Sequence, residues 1–211
     1  TSRMIFHSIE QNSKEWDEIR IGKVTTSKFG VFMANYGKAF GEPAKKYAHK
    51  LAMEQVTKER YDEERYSNEF MDAGHEWEPI ANNAYQEETF HEVTNGGFCE
   101  SEKYKNVGGS PDGHVKGFKA GIEIKSVIQW TQRTTIKRGS FDPSYKWQML
   151  GNIWLCDWDW CDFISYGYKS TENTKLFIDR LTKEDHQEDI EKIEPRLEQF
   201  LELIEQEKKY L

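Results

Sequence analysis

The chain has 211 residues, a formal charge of −8 and 36% hydrophobic residues. That length admits one domain with a core of its own, and no apolar stretch approaches the roughly 18 residues that a membrane helix needs. The three cysteines, Cys99, Cys156 and Cys161, fit no disulfide framework and no four-cysteine zinc or iron–sulfur spacing. Residues 1–16 lack the basic, apolar and small-residue parts of a secretory leader. A cytoplasmic protein with reduced thiols and no membrane contact is therefore expected.

Ser13 is placed to cap a first helix, KEWDEIRIG, with Trp16 and Ile19 on one side. Thr25, Thr26 and Ser27 offer hydroxyls at the start of a second helix, TTSKFGVFMANYG. Residues 36–43 have loop composition, and Pro43 opens a third helix with Tyr47, Leu51 and Val56 inward. Residues 68–89 read as another helix, with Met71, His75, Glu78 and Asn82 in register; Pro79 marks a kink or a second start within it. Strands are predicted over 93–100, 105–110, 113–118 and 121–127, a helix over 145–156, and strands over 160–169 and 174–181. Thr182 with Asp185 resembles a capping box that opens a long acidic C-terminal helix. Its Ile190, Ile193, Leu197, Leu201 and Ile204 form a stripe of 3.6-residue period. Helices, then a strand cluster, then alternation predict one mixed α/β (α+β) domain over residues 1–211, with a central mixed β-sheet flanked by helices.

The charge is unevenly spread. Residues 182–211 carry ten Asp/Glu against five Lys/Arg, whereas residues 113–147 carry seven Lys/Arg against Glu123 and Asp142. A locally basic stretch can contact phosphates while the rest of the surface repels them; an ordinary solvated face has the same composition.

The segment GGSPDGHVKGFKAGIEIKSV, residues 108–127, carries the chemistry. Alternation along a strand turns Glu123 and Lys125 to one face and Ile122 and Ile124 to the other. Asp112, between Pro111 and Gly113, suits a bend at the end of the neighbouring strand. If the two strands pair, Asp112 approaches Glu123, and two such carboxylates repel unless a proton or a cation lies between them. Hard oxygen ligands suit Mg2+, which keeps waters that a substrate phosphate can replace. The same residues also fit a surface turn with an incidental salt bridge.

Ser110-Pro111-Asp112-Gly113 with Glu123-x-Lys125 resembles the PD-(D/E)xK nuclease core, a restriction-endonuclease-like fold. More narrowly, the chain resembles the lambda-exonuclease, or YqaJ-type, viral recombination nucleases. Trp16-x-x-x-Arg20-x-Gly22, then Thr25-x-Ser27, Gly74-x-x-x-Glu78 and Gln148 occur in that family's order. The resemblance covers roughly residues 16–160. It departs in Pro79, directly after Glu78, and in the spacing from Asp112 to Glu123, which leaves the strand register open.

The resemblance implies a Mg2+-dependent exonuclease that degrades one strand of linear duplex DNA from its 5′ end, releasing mononucleotides and leaving a 3′ single strand. Glu78, Asp112, Glu123 and the Ile124 carbonyl would hold two Mg2+ ions, with Mn2+ as a possible substitute, to polarise the phosphate and activate water. Lys125 would orient or deprotonate the attacking water, and Gln148 would position substrate or that water. Arg20 and Ser27, with Ser110, would bind the terminal 5′-phosphate. Met71 would insert between the terminal bases, although core packing explains it equally. Arg133, Lys137 and Arg138 would follow the DNA backbone. Trp154, Trp158 and Trp160 are assigned to core or subunit packing before base stacking. The family further implies a ring-shaped homotrimer, a phage-type single-strand annealing partner and a phage or prophage origin in a bacterial cell. Two rivals are an endonuclease on the same core (a restriction enzyme or junction resolvase) and a non-catalytic DNA-end-binding scaffold.

Overall fold

A computed structural model describes residues 4–61 and 69–211. Two mixed sheets and the helices packed on them make up the fold, where the sequence pattern predicted one central sheet. The first sheet has the order β1 (Met4–His7), β4 (Phe98–Ser101), β5 (Val107–Gly109), β2 (Val24–Thr25). The second has the order β3 (Val93–Asn95), β6 (Gly113–Val115), β7 (Ala120–Val127), β8 (Trp160–Gly167), β9 (Leu176–Thr182). The predicted single strand over 93–100 is two strands in different sheets. The break falls at Gly96–Gly97: a Cβ on Gly96 would lie 1.7 Å from the Pro111 carbonyl oxygen, and Gly97 has φ +55°. Only glycine admits both the close approach and the left-handed backbone, so the chain leaves one sheet and enters the other there.

The β7–β8 pair is parallel and its neighbours on either side are antiparallel. One face of this sheet carries Ile122, Ile124, Ile164 and Tyr166, covered by Ala81 and Tyr85 of α4 (Glu69–Thr89). Tyr85 donates its hydroxyl to the buried Asp162 at 2.6 Å, and Arg180 grips the same carboxylate with two N–H groups at 2.8 and 3.0 Å. The helix α4 runs through Pro79 without a second start. Pro79 removes one backbone donor, and packing of α4 along β7 holds the helix together across that gap.

The opposite face receives α6 (Lys146–Cys156), and between the sheets lies the larger core, centred on Phe29, Phe32, Leu51, Leu150, Ile153 and Phe200. Trp154 and Trp158 are buried in it, as assigned, while Trp160 lies under the Arg180 guanidinium at 3.5 Å. Two predicted elements are shorter than expected. Val24 and Thr25 pair in parallel with Val107 and Gly108, so the hydroxyl-rich segment is a strand and a 3-10 turn, and α2 starts only at Phe29 (Phe29–Met33). The C-terminal segment is also interrupted. Thr182 Oγ1 accepts from Asp185 N at 3.2 Å, but this cap opens a 3-10 turn and α7 (Gln187–Glu191), and the long helix is α8 (Ile193–Glu207).

The apolar stripe of α8 buries Ile193, Leu197, Phe200 and Ile204 against α2 and α3 (Glu42–Thr57). Its acidic residues are therefore the outer side of a core helix. Buried Arg196 on the same helix donates to the carbonyls of Phe32, Ala34, Asn35 and Lys38, which satisfies the C-terminal end of α2. Within α3, Leu51 is inward as predicted, but Val56 is 56% exposed, because the helix ends one residue later at a left-handed Lys58.

Candidate active site

The pairing Gly113↔Ile122 and His114↔Gly121 decides the register that the sequence left open. Continued by one residue, it sets Asp112 against Glu123. Asp112 Oδ2 accepts the Ile124 N–H at 2.6 Å, which ties the bend to the next strand. Glu123 Oε1 accepts from Gln148 Nε2 of α6 at 3.0 Å and lies 3.3 Å from Lys125 Nζ. Glu123 Oε2 is buried and has no hydrogen-bond partner among the described residues. The Lys125 ammonium sits 4.4 Å from the centre of the Tyr145 ring, a contact the sequence did not signal.

These carboxyls are crowded, and their proton affinities show it. Burial first, then Asp112, pushes Glu78 up to about 7, against the opposing pull of Lys125. Burial raises Asp112 despite Lys125 and the Ile124 N–H. Burial and the Asp112 charge hold Glu123 well above the ordinary carboxylate range. Burial alone would lower Lys125, but Glu123 and Asp112 outweigh it and keep the ammonium protonated. Three carboxyls and one ammonium thus face a shared excess of negative charge that protons or a cation must balance.

A hard divalent cation fits this donor set. Two carboxylates meet, a third acts on them electrostatically, and one buried oxygen lacks any donor. Among the described residues no three His, Cys, Asp or Glu side chains converge closely enough to hold a metal by themselves; Lys125 and Gln148 meet one oxygen of Glu123, and the Ile124 N–H meets one of Asp112. The main chain of Ile124 lies beside Asp112 through that bond. Gln148 reaches the site through its bond to Glu123.

Ser110 connects this centre to a second one. Its hydroxyl accepts from Arg20 Nη1 at 2.8 Å and from Trp16 Nε1 at 2.9 Å, and the Arg20 guanidinium also stacks on the Trp16 ring at 4.2 Å. Arg20 caps α1 (Lys14–Ile19), and the turn that follows passes through Gly22 at φ +72°. Glu54 and Gln55 of α3 clamp this turn, accepting from Gly22 N at 3.0 Å and donating to Gly22 O at 2.9 Å. Burial lowers the proton affinity of Arg20, which nonetheless remains a cation.

Arg20 lines a cleft of about 690 Å³ in which it, Lys23, Lys28, Lys50 and Arg60 outnumber Asp17, Glu54 and Asp72, with Met71 also in the lining. Met71 is 47% exposed there, so core packing does not account for it. His75, one turn on, is exposed and lines the same cleft. Ser27 lies outside the lining and reaches it through Thr25, whose Oγ1 is 3.3 Å from Ser27 Oγ. Its turn caps no helix with a side-chain bond, so the expected helix-terminus contribution is absent there. The basic lining was missed because its members are scattered over four segments with no common spacing.

Arg133, Lys137 and Arg138 are exposed on α5 (Gln129–Arg138), which follows β7 directly. They are apart from the Arg20 cleft.

A family model described as the YqaJ-like viral recombinase domain matches residues 15–159, which span every residue of both centres. The chain belongs to the YqaJ-like viral recombinase family. Among solved structures, an alkaline exonuclease (LHK-Exo) from Laribacter hongkongensis is 31% identical, with a TM-score of 0.83 over 94% of this chain and 95% of that one. The same exonuclease in complex with dAMP matches at 32% identity and a TM-score of 0.83. A phage related exonuclease from Haemophilus somnus 129PT shares the fold at 17% identity, with a TM-score of 0.63 over 87% of this chain and 94% of that one. Comparison with curated proteins gave no match. The YqaJ-like region ends before β8, so β8, β9, α7 and α8 lie beyond the matched segment.

Proposed function

We propose that this protein is a Mg2+-dependent exonuclease that hydrolyses one strand of linear duplex DNA from its 5′ end and leaves a 3′ single strand for recombination by strand annealing. Membership of the YqaJ-like family and the likeness to an alkaline exonuclease support a nuclease acting on DNA. The observation that carries the finer reading is Ser110. One short turn links the Arg20 cation, which suits a terminal phosphate, to Asp112 in the carboxylate cluster. A terminal phosphate carries more charge than an internal diester, so a preformed guanidinium beside the cutting site favours ends.

Glu78, Asp112, Glu123 and the Ile124 carbonyl would hold the metal, which when bound supplies Lewis-acid activation of the phosphate and of a water molecule. Lys125 keeps a protonated amine beside the scissile group and neutralises charge developing there. Gln148 holds Glu123 in its ligating rotamer. Arg20 and Ser110, with Ser27 acting through Thr25, bind the 5′-phosphate, and Met71 parts the terminal base pair. Arg133, Lys137 and Arg138 bind the backbone. A homotrimer and a phage-type annealing partner complete the reading, in a phage or prophage setting.

The test is an incubation with Mg2+ and linear duplex labelled at either end, with and without a 5′-phosphate, beside a closed circle. Early release of the 5′ label, dependent on the phosphate and lost in Glu123→Ala, is expected. A nicked circle would replace this reading with an endonuclease. Binding without cleavage would leave a scaffold.

A further inference from the structure

The helix α5 carries, beside the basic residues assigned to the DNA backbone, an exposed aromatic side chain that the carboxylate centre does not use. Trp130 is 65% exposed, and the Arg133 guanidinium lies 4.8 Å from its ring centre. Residues 130, 133 and 137 lie at helical spacing on one side, so Trp130, Arg133 and Lys137 form a single stripe, with Arg138 at its edge. The helix carries no acidic residue in a chain of net charge −8. Among the described residues neither Arg133, Lys137 nor Arg138 makes an ion pair.

The inner side of α5 is built with equal care. Gln132 is buried and donates to the carbonyls of Ser165, Thr174 and Lys175, and its Oε1 accepts from Ser165 Oγ at 2.6 Å. Ser165 is the register partner of Lys125 across the parallel β7–β8 pair, and paired strands lie only about 4.8 Å apart. The platform is therefore anchored at the level of the nuclease lysine, at the end of the strand that delivers it.

We propose that the Trp130–Arg133–Lys137 stripe is a binding platform for single-stranded DNA, on which an unpaired base stacks against the indole while Arg133 and Lys137 meet the flanking phosphates. Charge complementarity selects a polyanion, and the exposed indole selects one whose base faces are accessible. A duplex hides its base faces within the stack, whereas a single strand offers them. This rests on the exonuclease reading in one respect: the strand bound is the one that hydrolysis of its complement leaves unpaired.

The test compares fluorescence anisotropy of a labelled oligo(dT) about 20 nucleotides long with that of a blunt 5′-phosphorylated hairpin, in metal-free buffer. Trp130→Ala should weaken oligo(dT) binding by roughly ten-fold, Trp130→Tyr should retain most of it, and hairpin binding should change less than about two-fold. Arg133→Ala with Lys137→Ala should also flatten the salt dependence of oligo(dT) binding. Unchanged oligo(dT) binding in Trp130→Ala, an equal loss on both ligands, or no oligo(dT) binding by the native protein would each overturn the platform. Unchanged melting temperatures would show that these exposed substitutions leave the fold intact. The outcome is separate from the exonuclease reading, because the binding assay needs no cleavage and a cleavage assay on blunt ends does not require Trp130.

Discussion

Replacing Glu123 by Gln should raise the melting temperature of the metal-free protein while abolishing its nuclease activity. Glu123 is 2% exposed, its Oε2 has no donor, and Asp112 meets it directly. An amide offers Oε1 to Gln148 and Lys125 as before and supplies an N–H towards Asp112 at every pH. Lys125 stays compensated, because Asp112 and Glu78 remain near it. Converting an unsatisfied buried acceptor into a made hydrogen bond is worth about 1–2 kcal/mol, and in a chain of this size that moves the melting temperature by roughly 2–8 °C. The gain should depend on pH in a definite direction. Glu123 has its folded-state affinity for protons raised, so the folded wild type binds more protons than the unfolded chain above the ordinary carboxylate range. Its stability is therefore full at low pH and falls as pH rises through the folded value. The variant lacks that loss, so the difference should be near zero at about pH 4.5 and grow towards about pH 8. Differential scanning fluorimetry in EDTA across that range measures it. A Gln variant that melts lower than wild type at alkaline pH, or by the same margin at both ends, would refute the account of Glu123 as a strained, uncompensated carboxylate.

Other outcomes follow from the same geometry. With Glu78 held up to about 7, metal must displace protons, so the thermal stabilisation by Mg2+ should be larger at about pH 8 than at about pH 6, and nuclease activity should rise across that interval. Arg20→Lys removes the planar guanidinium whose Nη1 meets Ser110 and should cut the preference for a 5′-phosphorylated over a 5′-hydroxyl duplex by roughly ten-fold or more; matched substrates in steady-state kinetics would show it. Arg196→Met strips the carbonyls of Phe32, Ala34 and Lys38 of their donors and should cost about 3 kcal/mol, read as a melting temperature lower by roughly 6–12 °C.

Much of this protein is legible without coordinates. Alternation alone puts Glu123 and Lys125 on one face of β7 and the isoleucines on the other, because the side-chain period of a strand leaves no choice. The Pro111-Asp112-Gly113 bend, the 3.6-residue stripe of α8 and the Ser13 cap are local rules read over a few residues. Tertiary structure decided whatever depends on distant partners. The register that sets Asp112 against Glu123 comes from pairing across a turn whose length local propensity does not constrain. The split of residues 93–100 between two sheets depends on Gly96 meeting the Pro111 carbonyl, fifteen positions away. The basic cleft draws Arg20, Lys28, Lys50 and Met71 from separate segments, and Ser110 reaches Arg20 across ninety residues. Spacing along the chain carries side-chain direction, but distance between segments is set only when the core closes, and chemistry at this site is a matter of distance.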